Sequence, residues 1–143
     1  MTTVTMPIKT TQHIKNIVEQ DMASLVKIGT QALENGDLMA ALEAFERVVT
    51  TYPDRPEGHN NLGAMYSSLG ELEKAEKCFD KVLAVLPTNP DVHYNRGVMR
   101  SRQEKFDKAR EDFLVVLKNN PKDADTLNNL GVADYMQGHL PSA

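Results

Sequence analysis

Asparagine returns at positions 61, 95 and 129, in steps of 34 residues. A carboxamide carries two donors and an acceptor. A row of them can pair with the main chain of an extended peptide, whatever its side chains. Asparagine is also a poor helix former, because its side chain competes for backbone hydrogen bonds. Its return in stretches that otherwise read as helix argues for a task. The alternative task is internal, a hydrogen bond from each helix to its neighbour. Glu57, Asp91 and Asp125 make a second row at the same spacing and would repel acidic ligands. His59 and His93 make a third. Two histidines fall short of the three or four protein ligands a zinc site takes, so no metal site is read from them. Glu71 and Glu73 read as solvated surface. The sequence has no Gly-rich phosphate loop and no HExxH, CxxC or GxSxG. No catalytic, cofactor-binding or metal residue is therefore assigned, and the chain is read as a non-enzyme that needs no cofactor.

These rows are positioned by a wider periodicity. His59, Asn61, Gly63, Met65 and Ser67 recur as His93, Asn95, Gly97, Met99 and Ser101. Lys74, Ala75, Phe79, Val82, Leu83 and Pro87 recur as Lys108, Ala109, Phe113, Val116, Leu117 and Pro121. The register runs back to Gly29, Ala41, Phe45, Val48 and Pro53, and on to Asn129, Gly131 and Gly138. Gly63 and Ala75 would let two helices approach closely, with Tyr66 and Phe79 filling the wedge where they diverge. Pro87 lacks the donor a continuing helix needs, so the second helix stops there. Pro56 and Pro90 suit a first turn, and Asn89 suits the N-cap before it. Gly36 and Gly70 can take the left-handed conformation that ends a helix. Glu104 stands in that place in the third unit, which predicts a less relaxed turn. Helices are expected near 22–35, 38–51, 56–69, 72–85, 90–103, 106–119 and from 124 to about 137. Residues 1–10 read as a disordered tail. A helical stripe starting near Thr10 or Thr11 covers an extension over 11–21 and continues into the first unit.

A 34-residue period with small, aromatic and proline punctuation resembles the tetratricopeptide repeat family over roughly residues 22–143. The resemblance implies an all-α, right-handed superhelical solenoid of antiparallel helix pairs. Its repeats would be 22–55, 56–89 and 90–123, with a partial fourth at 124–143. It also implies that the first helices line a concave, peptide-binding groove. Carried onto this sequence, the groove residues are Lys27, Asn60, Asn61, Ala64, Asp91, Tyr94, Asn95, Val98, Arg102, Asn128, Asn129, Val132 and Tyr135. The asparagine row looks like the ladder by which the superhelix of O-linked N-acetylglucosamine transferase holds peptides. A second branch of the family clamps C-terminal carboxylates with Lys, Arg and Asn. Here Asp91 and Asn95 stand where that clamp wants a basic pair, and Val26 and Thr30 replace its Lys and Asn, so only Asn61 fits.

The net charge of −4 and the lack of a dense Lys/Arg run argue against nucleic acid as a partner. No apolar run is long enough to span a bilayer, and the first residues lack a secretory core, so a cytoplasmic protein is expected. The single cysteine, Cys78, excludes an internal disulfide framework and reads as a small packing residue. The expected function is a protein–protein interaction module taking a neutral or basic peptide. A self-assembling scaffold, joined through an open C-terminal edge as a homo-oligomer, is the first alternative. The substrate-recruiting region of a larger enzyme is the second. One contact is expected between units: Arg100, where the second unit has Tyr66, should reach Asp134.

Overall fold

The computed structural model describes residues 8–138. Among these residues the regular structure is helical throughout: α1 (Ile8–Glu34), α2 (Leu38–Thr51), α3 (Pro56–Ser68), α4 (Leu72–Val85), α5 (Pro90–Arg102), α6 (Phe106–Asn119) and α7 (Ala124–Met136). Residues 1–7 and 139–143, which hold most of the expected tail and the last part of the partial fourth repeat, lie outside the described residues. Residues 8–10 of that tail are instead the first turn of α1. The chain divides into two compact units, one up to Gly58 and one from His59.

In the first unit α1 packs on α2. Ala41 and Val48 are fully buried on α2, with Phe45 beside them. Phe45 lies so close to α1 that a Cβ placed on Gly29 would stand 2.7 Å from its ring. The turn between the helices closes at Gly36, whose φ is +76°. Asp37 then caps α2, its Oδ1 accepting from the Ala40 amide at 3.1 Å.

The second unit is built on a core of Ala75, Phe79, Val82, Val92 and Met99, flanked by Tyr66, Leu72 and Leu83. The close approach of helices recurs here. A Cβ on Gly63 would meet Phe79 at 2.6 Å, and one on Gly97 would meet Phe113 at 2.6 Å. Either alanine would therefore have to push a buried ring aside. Asn89 and Asp123 cap α5 and α7, accepting from the Val92 amide at 3.2 Å and the Thr126 amide at 3.0 Å. The turn after α3 closes with Gly70 at φ +80°, and the turn after α5 repeats it with Glu104 at +60°. The hydrogen bonds match: Glu71 N–H donates to the Tyr66 carbonyl at 2.9 Å, and Lys105 N–H to the Arg100 carbonyl at 2.8 Å. This is the end-of-helix bonding that a left-handed residue permits.

A charged centre joins α5 to α6. Asp112, 1% exposed, takes the place that Cys78 and Ala44 hold one and two units earlier. Its Oδ1 accepts from Arg96 Nη2 at 2.8 Å, and its Oδ2 accepts from Arg100 Nη1 at 2.8 Å. His93 Nδ1 lies 2.8 Å from Oδ1, and His93 Nε2 lies 2.8 Å from the Pro87 carbonyl. The expected pair between Arg100 and Asp134 does not form. Arg100 turns to Asp112 and, at 3.6 Å, to Glu76, while Asp134 accepts from Arg110 at 2.9 Å. The reason is burial. A carboxylate inside the helix pair requires compensation far more than one at its margin. The arginine within reach therefore goes inward.

Candidate functional site

The N-terminal half of α5 organises the site. Asp91 is exposed near its start, and Tyr94 and Asn95 follow on the same side, each half-buried. Tyr94 is fixed from below by Phe113, whose ring centroid lies 6.3 Å away at a tilt of 56°. These residues line a cavity of about 600 Å³ with Asn60 and Asn61 from α3. Its far wall is the end of α6 and the turn into α7: Val116, Asn119, Asn120, Asp123 and Asp125. The lining is polar and acidic. Asp123 spends one oxygen on its cap. Asp91 and Asp125 make no ion pair among the described residues, so their charge faces the opening. A second hollow, of about 170 Å³, continues along α5 and shares Tyr94 and Asn95; Ala64, Ser67, Ser68, Val98 and Arg102 complete it. Arg102 stands eleven residues beyond Asp91, about 16 Å along the helix at 1.5 Å per residue.

The asparagines are engaged within the unit. Asn95 Nδ2 donates to Asn60 Oδ1 at 2.9 Å, and Asn129 Nδ2 donates to the Tyr94 hydroxyl at 3.3 Å. These are hydrogen bonds between neighbouring first helices, the alternative open at the level of sequence. They use one N–H of each donor and leave its second N–H and its oxygen. The side chain can therefore hold a neighbour and still offer a peptide-like edge.

The structure brings together Asn60, Asn61, Ala64, Asp91, Tyr94, Asn95, Val98 and Arg102 around the two hollows. Asn128, Asn129, Val132 and Tyr135 lie on α7, where Val132 is 51% and Tyr135 70% exposed. Lys27 belongs to the first unit, on a separate hollow of about 400 Å³ with Ile28, Gln31, Ala32, Asn35 and Asp37. Sequence reasoning missed Asn119, Asn120 and Asp123. The register held a signal, since Asn119 and Asn120 replace Val85 and Leu86 of the preceding unit. No group of three or more His, Cys, Asp or Glu among the described residues is arranged to hold a metal ion. No described helix is long and apolar enough to cross a membrane. Burial pushes the Cys78 thiol up, and Lys81 offsets part of that. A raised thiol is a weaker nucleophile near neutral pH, in keeping with its place in the core.

Profiles of the tetratricopeptide repeat match residues 23–55, 56–89 and 78–111. No curated protein matches the sequence. Among solved structures, the first tetratricopeptide domain of Spaghetti (RPAP3) bound to the HSP90 peptide SRMEEVD aligns with a TM-score of 0.76. The two are 20% identical, and the alignment covers 83% of this chain and 94% of that one. An O-GlcNAc transferase mutant from Thermobaculum terrenum aligns with a TM-score of 0.74 at 23% identity. That match covers 79% of this chain but 22% of the transferase. A MamA RS-1 double mutant aligns with a TM-score of 0.72 at 23% identity, covering 82% of this chain and 66% of that one. At such identities the likeness is one of fold.

Proposed function

We propose, from the premise that the chain belongs to the tetratricopeptide repeat family, that it is a protein–protein interaction module whose α5 face binds an extended peptide segment. The observation that carries this reading is the 600 Å³ cavity lined by Asn60, Asn61, Asp91, Tyr94, Asn95 and Asp125. A cleft of that size suits several residues of a ligand. Its asparagines retain donors and acceptors for a ligand main chain. Tyr94 offers a rigid aromatic surface of the kind that dominates binding energy. Asn128, Asn129, Val132 and Tyr135 would extend the contact along α7.

Charge separates this chain from its structural neighbour. The peptide on the RPAP3 domain ends in two glutamates, a valine and an aspartate. Asp91 and Asp125 at the opening would repel such a sequence. The ligand proposed here is neutral or basic.

The test is selection of random peptides on the immobilised protein, followed by affinity measurement with Asn95→Ala and Asp91→Asn. Selected peptides should be enriched in Lys and Arg and poor in Asp and Glu. Asn95→Ala should weaken binding about fivefold, the worth of one hydrogen bond of about 1 kcal/mol. A pool of acidic peptides, or affinities untouched by both changes, would rule out this face as the site.

A further inference from the structure

The groove along α5 changes sign from one end to the other. The cavity at its start is lined by Asp91, Asp123 and Asp125 and by no basic side chain. The smaller hollow at its end is lined by Arg102 and by no acidic side chain. Tyr94 and Asn95 line both, so the two hollows are consecutive parts of one track.

Arg102 is exposed and makes no ion pair among the described residues. The other arginines of α5 are spent, since Arg96 and Arg100 both close on Asp112. Ser67 of α3 lines the same hollow and is 8% exposed. Its hydroxyl makes no hydrogen bond among the described residues. A buried hydroxyl without a partner is costly, and an acceptor on a ligand would relieve that cost. Ser68 adds a second hydroxyl at the rim. A guanidinium and two hydroxyls make a set of donors suited to the oxygens of an anion. One guanidinium matches a single carboxylate in charge and in its two-oxygen edge, whereas phosphoryl groups are gathered by clusters of arginine.

We infer that a peptide bound on this face places a Lys or Arg in the acidic cavity and one carboxylate side chain, of Asp or Glu, on Arg102. The inference rests on the binding reading above and adds the ligand's charge order to it. Asp91 and Arg102 stand about 16 Å apart along the helix. An extended chain crosses that distance in about five residues, at roughly 3.3 Å each. The ligand stays neutral or basic in total, and its one acid has a fixed place.

The test repeats the random-peptide selection on the immobilised full chain and on Arg102→Gln and Arg102→Glu. On the parent, an Asp or Glu should be enriched about five residues from a Lys or Arg and depleted elsewhere. Arg102→Gln should abolish that enrichment, and Arg102→Glu should replace it with Lys or Arg. In one selected peptide, exchange of the acid for its amide should weaken binding to the parent about threefold to fivefold, as for an exposed ion pair. The same exchange should leave binding to Arg102→Gln unchanged. The substituted side chain is exposed at a helix end, so both variants should keep the parent's helical circular dichroism. Basic peptides that depend on Asn95 but carry no acid at that distance would overturn this inference and leave the binding reading standing. An acid enriched equally on Arg102→Gln would overturn it as well. A chain that selects no peptide would overturn both.

Discussion

Asp112 is the residue that most sets the third helix pair apart. A carboxylate in a core position survives because two guanidinium groups and an imidazole close on it. The four groups act as a set. Removing the acid alone strips Arg96 and Arg100 of their buried counter-charge and leaves them only the more exposed Asp80, at 3.8 Å, and Glu76, at 3.6 Å. Asp112→Ala should lower the unfolding free energy by about 3–5 kcal/mol, the usual cost of breaking one side of a buried ion pair. Replacing the acid and both arginines, and keeping His93 as the second unit keeps His59, tells a different story. Arg96→Leu, Arg100→Tyr and Asp112→Cys together install the residues that the second unit carries at those places, Leu62, Tyr66 and Cys78. That triple variant should be within about 1 kcal/mol of the parent, or more stable, since apolar replacements of buried ion pairs are often neutral or better. Urea unfolding of the two variants decides. A triple variant as damaged as the single one would mean that the charges, and not packing alone, hold α5 to α6. Asn95 shows the same economy at lower stakes: one N–H ties α5 to Asn60, and the rest of the carboxamide is left for a ligand.

The helices obey their punctuation, and the exception is informative. Gly36, Gly70 and Gly138 take left-handed φ values of +76°, +80° and +76° at helix ends, and Glu104 is forced to +60° in the corresponding turn after α5. A residue with a Cβ is strained there by about 1–2 kcal/mol. Glu104→Gly should relieve the strain and raise stability by about 0.5–1 kcal/mol after the added freedom of the unfolded chain is subtracted. Thermal unfolding with unchanged helical circular dichroism would show it, and a lowered melting temperature would refute it. This level of the structure was legible in the sequence because its causes are local. A proline without a donor, a capping Asn or Asp and a glycine free of Cβ each act within a turn of their own position. The long reach of α1 back to Ile8 was legible only in part, since the stripe through Ile14 and Ile17 marks a helix but has no sharp start signal. The destination of Arg100 was not legible. Its choice between Asp112 and Asp134 depends on which carboxylate is buried, and burial is a property of packed helices. The cavity was read in the same proportion. Its α3 and α5 walls follow from the repeat, whereas Asn119 and Asn120 depart from it, at places where the previous unit is apolar.

At the scale of the molecule, acids outnumber bases, 20 to 16. The chain carries a net −4, and part of that negative charge faces the cavity through Asp91 and Asp125. Attraction between exposed charges decays over about 8–10 Å at physiological salt. A selected basic peptide should therefore lose affinity as salt rises from 50 to 500 mM, on the order of tenfold for two exposed carboxylates. Asp91→Asn combined with Asp125→Asn should flatten that dependence and leave the high-salt affinity nearly unchanged. Titrations across ionic strength test this directly, and an unchanged slope would remove the two acids from the interface. The charged centre around Asp112 bears in another way on how such a chain can change over generations. Genes for repeated segments lengthen and shorten by recombination between their copies. A crossover placing the seam in the turn between a first and a second helix would join α3 to α6, and Asp112 would then face Leu62 and Tyr66 with neither arginine to balance it. A seam between α4 and α5 would carry the two arginines and the acid together. The heritable unit in this part of the chain is therefore α5 with α6, and viable duplications or deletions should have their ends outside that pair.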